Sequence, residues 1–185
     1  MTAIALLACS CGIPMSSQPN VVSGRNVPFH LLSPTVPTST TTSQPTVAYV
    51  PESIYLLNGA GNAVVVRRDV PVPATLSAVL SALLDGPSSP EASSGIITVL
   101  PQDGKILSTS IQATVATVNL NTAFSQVSGA SEVKAVGQLV LTATAQPGVS
   151  AVIFEILGVP ISVPIASGAV TALPVTAAQY KALLG

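Results

Sequence analysis

Cys9 and Cys11 lie in the apolar stretch LLACSCGIP at residues 6–14, and they are the only cysteines of the chain. Their chemistry narrows quickly. A structural zinc site needs about four ligands, and beyond these two thiols the sequence offers only one distant imidazole, His30. A C-x-C pair is not the C-x-x-C of thioredoxin-like redox sites. Lipid attachment fits better, because a lipobox requires small or aliphatic residues just before the modified cysteine. Leu6-Leu7-Ala8 before Cys9 meets that requirement, and Ala8-Cys9-Ser10 before Cys11 meets it more loosely. The apolar run is short for a signal peptide and lacks a positively charged start, so translation is expected to begin upstream of Met1.

The remaining reactive side chains form no catalytic pattern. A Ser-His-Asp triad would have to use His30, which falls in a proline-rich stretch that cannot hold an imidazole to the tolerance catalysis requires. The seven acids, Glu52, Asp69, Asp85, Glu91, Asp103, Glu132 and Glu155, belong to no recognisable motif. Arg67-Arg68-Asp69 is the densest charge cluster. Strand alternation puts Arg67 and Asp69 on one face and Arg68 on the other, leaving one arginine for a local ion pair. Neither GxGxxG nor GxxxxGK[ST] occurs. No catalytic, metal-binding or cofactor-binding residue is therefore expected.

What positions so few charges is an unusual polypeptide. Of 185 residues, 48% are hydrophobic and 7% charged, against about 25% charged in ordinary soluble proteins. The formal charge of −1 and six scattered basic residues argue against nucleic-acid binding and against electrostatic adhesion to anionic lipid. The surface is expected to be built from Ser, Thr, Gln and Asn. With few carboxylates to protonate, acid is expected to cost this protein little stability.

Three regions follow from the pattern. Residues 1–12 are the apolar lipobox segment. Residues 13–46 are polar and carry Pro14, Pro19, Pro28, Pro34, Pro37 and Pro45, a composition expected to remain an unfolded tether. Residues 47–185 are periodic and form the expected domain. SIYLL (53–57) and AVVVRRDV (63–70) read as strands joined by the turn-forming NGAGN. In TLSAVLSALLDGP, Leu76, Val79, Leu80 and Leu83 fall on one helical stripe, capped by Thr75 and stopped by Gly86-Pro87. IITVL (96–100), ILSTSIQA (106–113) and VATVNLN (115–121) read as strands. A second helix covers SEVKAVGQLVLTATAQPG, with Ser131 as its cap and Val133, Val136, Val140 and Ala143 on one face. VSAVIFEI (149–156) and PISVPIA (160–166) form a last pair around Gly158. The expected class is α+β: a mixed or antiparallel sheet of short strands, largely hairpin-linked, with two helices packed on one face.

VVVRRDVPVPATLSAVLSALLDGPSSPE, VATVNLNTAFS and VGQLVLTATAQPGVSAVIFEILGVPISVP, in that order, resemble the GerMN domain, the sporulation and spore-germination domain of bacterial envelope proteins. The resemblance spans about residues 47–184 and includes the closing AAQYKALL. CGIP and VPFHLLSP resemble the N-termini of lipoproteins that carry one such domain, which favours Cys11 over Cys9 as the lipidated residue. The resemblance implies two helices on a sheet, a lipid anchor on the outer face of the cytoplasmic membrane and no known catalysis. It also implies an interaction role, in which a sheet face or an exposed edge strand contacts another envelope protein or a second copy. Two alternatives stand beside it: a module binding cell-wall glycan or peptide, and an accessory to a sensor kinase. The first would draw its aromatics from Tyr49, Tyr55, Tyr180, Phe124 and Phe154; the second is associated with a propeller domain for which this chain has no room. Ala113-Thr114 replaces the family's usual Gly-Gly turn, and Asn119 stands where Asp is common.

Overall fold

The structure is a computed structural model that describes residues 47–185. Alternating side chains in the first two segments produce an antiparallel hairpin of β1 (Tyr49–Leu57) and β2 (Ala63–Pro71), paired from Tyr49↔Pro71 to Leu57↔Ala63. Asn58 closes its loop: the Oδ1 atom accepts from the N–H groups of Ala60 and Asn62, both at 3.0 Å. Helix α1 (Leu76–Leu84) follows. The Thr75 hydroxyl accepts from Ala78 N–H at 3.2 Å, and the expected stripe of Leu76, Val79, Leu80 and Leu83 is buried. Gly86, at φ 72°, takes the left-handed conformation that ends the helix. A short helix, α2 (Ser89–Ser93), comes next.

The second sheet has the order β3-β4-β5-β6, with β3 at Ile106–Gln112, β4 at Val115–Leu120, β5 at Ala151–Ile156 and β6 at Val159–Pro160. β3 and β4 form a hairpin turned by Ala113-Thr114. β4 and β5 run parallel, which demands a crossover, and helix α3 (Ala130–Thr144) supplies it. A third, two-stranded sheet joins β7 (Val163–Pro164) to β8 (Val170–Thr171). The class is α+β as expected. Its strands fall into three sheets instead of one, and one connection is a crossover.

Helix α3 organises this arrangement. Every residue from Ala135 to Ala143 is buried, because the helix packs against β1, α1, β5, β7 and the C-terminal 3₁₀ segment Ala177–Leu184. Burial thus extends around the helix, beyond the single face of Val133, Val136, Val140 and Ala143 expected above. Its cap also differs from expectation: Gly129 precedes the helix at φ 62°, no side chain caps it, and Ser131 lies within the first turn.

The polar residues of α3 explain a second correction. Gln138 and Thr142 are fully buried and one helical turn apart. The Thr142 hydroxyl accepts from Tyr55 N–H at 2.9 Å, and the Gln138 amide donates to Tyr55 C=O at 3.1 Å. α3 thus satisfies the outer edge of β1 where another strand would otherwise pair. IITVL accordingly forms no strand. Ile97 makes one bridge to Leu57, and the chain then turns so that Val99 N–H and the Thr98 hydroxyl donate to Gln138 Oε1, each at 3.3 Å.

At the C-terminus, Tyr180 is fully buried and its hydroxyl donates to Pro164 C=O at 2.7 Å. Its ring lies so close to Gly137 that a Cβ there would stand 3.1 Å from Cδ1. Burial raises the phenol's pKa well above its ordinary value. Tyr180 is a core residue with no accessible chemistry.

Candidate functional site

Of the two end strands of the four-stranded sheet, β6 has only two residues and β3 has seven. β5 is closed on its far side by β6, by the paired hydrogen bonds of Val152 with Val175 (2.8 Å each) and by Ile161 N–H on Phe154 C=O at 3.0 Å. β3, at the opposite end, bonds only to β4 among the described residues. Its sequence, ILSTSIQ, contains no charge and no proline, the two features by which natural proteins commonly protect an edge. One irregularity remains: the register shifts between Ile106 and Ser108. In a two-residue hairpin the flanking pair, here Gln112↔Val115, exchanges its hydrogen bonds inward. Thr109 and Ile111 therefore turn their N–H and C=O groups to the open side.

Beside this edge runs a groove of about 510 Å³, bounded by Ala74–Leu76 before and at the start of α1, by Thr109–Ile111 of β3, and by Gln146-Pro147 after α3. Ile111 pairs with Ala116 on the core face of the sheet, yet it is 46% exposed because no element covers that end. Gln146 is 9% exposed, and its buried amide nitrogen has no hydrogen-bond partner. A buried donor without an acceptor costs about 1–3 kcal/mol. The groove thus joins unpaired backbone, an uncovered aliphatic side chain and an unspent donor.

A second concavity, about 360 Å³, opens at the C-terminal ends of the parallel strands, where Leu120 and Ile156 meet the first turns of α3. Phe124, from the 3₁₀ turn Thr122–Gln126, and Phe154, from β5, line it together with Leu139. Glu132 is its one charged lining residue.

The charge cluster of β2 resolves into a structural tie. Arg68 reaches α2 and grips Glu91 through both terminal nitrogens, with Nη1 to Oε1 at 2.7 Å, and it also donates to Gly86 C=O at 3.0 Å. Glu91 meanwhile accepts from Ser88 N–H at 2.7 Å, completing a capping box. The Arg68 hydrogen bond is the main reason the Glu91 carboxyl falls from 4.5 to about 2, with the Ser88 bonds adding to it against the opposing cost of burial. Arg67 and Asp69 are exposed on the other face, as alternation required.

Cys9, Cys11 and His30 lie outside the described residues. The acids within them are dispersed: no group of three or more His, Cys, Asp or Glu side chains that could hold a metal is found there. No helix of the described residues is long and apolar enough to cross a membrane. Of the aromatics available for a glycan groove, Tyr180 and Phe154 are core residues, and Tyr49 is exposed at the start of β1. Asn119, the departure from the family's common Asp, holds the turn between β5 and β6, its Oδ1 accepting from Gly158 N–H at 2.9 Å. Sequence reasoning did not find Gln146, Glu132 or either concavity. The only signal available for the second was the retention of Phe124 and Phe154 in an aromatic-poor chain.

The described residues thus form an α+β domain whose strand β3 leaves one edge open. Residues 53–162 match the profile of the Germane family, described as sporulation and spore germination, and the chain belongs to this family of GerMN-domain proteins. The tandem GerMN domains of the sporulation protein GerM from Bacillus subtilis match with 22% identity and a TM-score of 0.58, over 75% of this chain and 49% of that one. This chain therefore spans about half the length of that structure. The first GerMN domain of the same protein matches at 26% identity and a TM-score of 0.48, over 60% of this chain and 86% of that one. A candidate lipoprotein from Clostridium perfringens matches at 18% identity and a TM-score of 0.48, over 74% of this chain and 93% of that one. No curated protein matches the sequence.

Proposed function

We propose that this protein is a lipid-anchored component of the bacterial envelope, and that its GerMN domain binds another envelope protein by accepting an extended strand at the edge of β3. The open edge is the observation that carries this reading. Thr109 and Ile111 offer backbone pairing, the Ile111 groove takes a side chain of the added strand, and the Gln146 amide gains an acceptor. Membership of a sporulation and germination family supports the envelope setting. The role is binding and not catalysis. Catalysis requires a nucleophile or acid held against a base, whereas among the described residues Glu91 is tied to Arg68 and Glu132 is the one acid lining a concavity.

The anchor is assigned to Cys11 on the resemblance of CGIP to lipoprotein N-termini, with Cys9, which the lipobox fits better, as the alternative. Two or more acyl chains give stable membrane attachment where a single chain does not. With a complete lipoprotein signal peptide in front of it, the protein is expected in the detergent-soluble membrane fraction. Replacing both cysteines by serine is expected to release it, and unchanged membrane retention contradicts the anchor.

The binding mode is tested by a photo-crosslinking residue at Ile111, with the exposed Ala178 as control. A discrete adduct is expected from position 111 in membranes and none from 178. Thr109→Pro, which removes one outward N–H from an edge position where proline is tolerated, is expected to abolish the adduct without unfolding the domain. Equal labelling at both positions, or an adduct indifferent to Thr109→Pro, contradicts strand addition.

A further inference from the structure

The cavity at the C-terminal ends of β4 and β5 stands apart from the β3 edge and has a different character. Protein interiors are packed to crystal density and hold few voids larger than a water molecule. At about 30 Å³ of liquid volume per water, 360 Å³ corresponds to roughly a dozen waters. Open to solvent and lined by Ser125, Ser128 and Ser162 as well as by apolar side chains, the cavity falls at the low end of the ~300–1,000 Å³ typical of small-ligand sites. Its walls come from four separate places in the sequence: Leu120 of β4, Phe124 of the 3₁₀ turn, Leu139 of α3, and Phe154 of β5. Leu139 and Phe154, each 1% exposed, seat its floor in the core.

Charge selects the occupant. Glu132, in the first turn of α3, contributes a carboxylate to the lining, and no Lys, Arg or His lines the cavity. An anionic amphiphile such as a fatty acid would meet a like charge without a compensating cation. A neutral one would leave the carboxylate without an ionic partner. An ammonium group gains a charge-assisted bond to Glu132.

We propose that this cavity binds a small amphiphile with an apolar body and a single ammonium group, the body among Phe124, Leu139 and Phe154 and the ammonium at Glu132. A free alkyl or arylalkyl amine and the amino terminus of a peptide beginning with a large apolar residue share this chemistry.

The test uses isotope-labelled full-length protein titrated with hexylamine, hexanol and hexanoate, and with a leucyl-alanine amide carrying a free or an acetylated amino terminus. Hexylamine is expected to shift the resonances of Val136, Leu139 and Phe154 saturably, while hexanoate at equal concentration leaves them in place. Glu132→Gln is a half-buried substitution that removes charge and preserves shape. It is expected to weaken hexylamine about tenfold, the size of one lost charge-assisted contact, and to leave hexanol unchanged. Binding of the free peptide in preference to both hexylamine and its acetylated form identifies the source as a peptide terminus; tighter hexylamine binding identifies a free amine. Hexanoate binding as tightly as hexylamine, indifference to Glu132→Gln, or no shifts from any probe at ten-millimolar concentration overturns the proposal.

Discussion

At the level of single residues, two backbone positions carry strain. Ala113 adopts φ 56° in the β3–β4 turn and Leu157 adopts φ 51° in the β5–β6 turn, conformations that cost an L-residue with a Cβ about 1–2 kcal/mol. Glycine adopts this conformation without a Cβ clash, so Ala113→Gly is expected to raise unfolding free energy by about 0.5–1 kcal/mol, the relieved strain less the added freedom of the unfolded chain; urea unfolding measures it. The Arg68–Glu91 pair carries the clearest pH dependence. Glu91 is depressed in the folded state to about 2 from an ordinary 4.5, so its contribution is complete above pH 4.5 and disappears as pH falls toward 2. Both side chains keep about a fifth of their exposure, at 20% and 22%, and solvent screening limits the effect to about 1 kcal/mol. Arg68→Ala is expected to lower stability at pH 7 by that amount and to flatten the stability profile between pH 4.5 and 2. A variant profile as steep as the native one would place the acid sensitivity elsewhere.

Among the elements, α1 was legible and α3 only in part, for one physical reason. α1 has a buried stripe and an exposed back, so its apolar residues recur at i, i+3, i+4 and i+7 and Thr75 marks its start. α3 is enclosed from Ala135 to Ala143; a helix buried on all sides has no polar back to set its phase, and its polar residues report contacts instead of exposure. Gln138 and Thr142 in that run bond the edge of β1, a pairing between residues far apart in sequence that no local pattern contains. IITVL reads as a strand yet forms none for the same reason, since its β-forming residues are committed to Gln138 and Leu57. Gln138→Leu keeps the volume but strands the Tyr55 carbonyl and the Val99 N–H. It is expected to destabilise the protein by about 3 kcal/mol, two unsatisfied buried groups partly offset by the apolar gain. A loss under 1 kcal/mol would mean that those groups find other partners. The open β3 edge was anticipated only in kind: an uncharged strand can be read from ILSTSIQ, whereas its place at the end of the sheet follows from the α3 crossover.

For the whole molecule, low charge and an open edge belong together. An edge free of Lys, Glu and Pro can receive a neutral strand without desolvating an ion, and a lipid anchor would hold that edge at a fixed place in the envelope. The concavities could not be read from the sequence because each is assembled from distant segments, Leu76 with Ile111 and Gln146 in one and Phe124 with Phe154 in the other. The most direct measurement is amide hydrogen exchange at Thr109 and Ile111, compared between protein purified alone and protein in its native membranes. Strand addition at β3 predicts rapid exchange at both amides in the purified protein and protection of at least about a hundredfold at both in membranes, with the Ile111 protection lost in Thr109→Pro. Equally rapid exchange in the two preparations would contradict it.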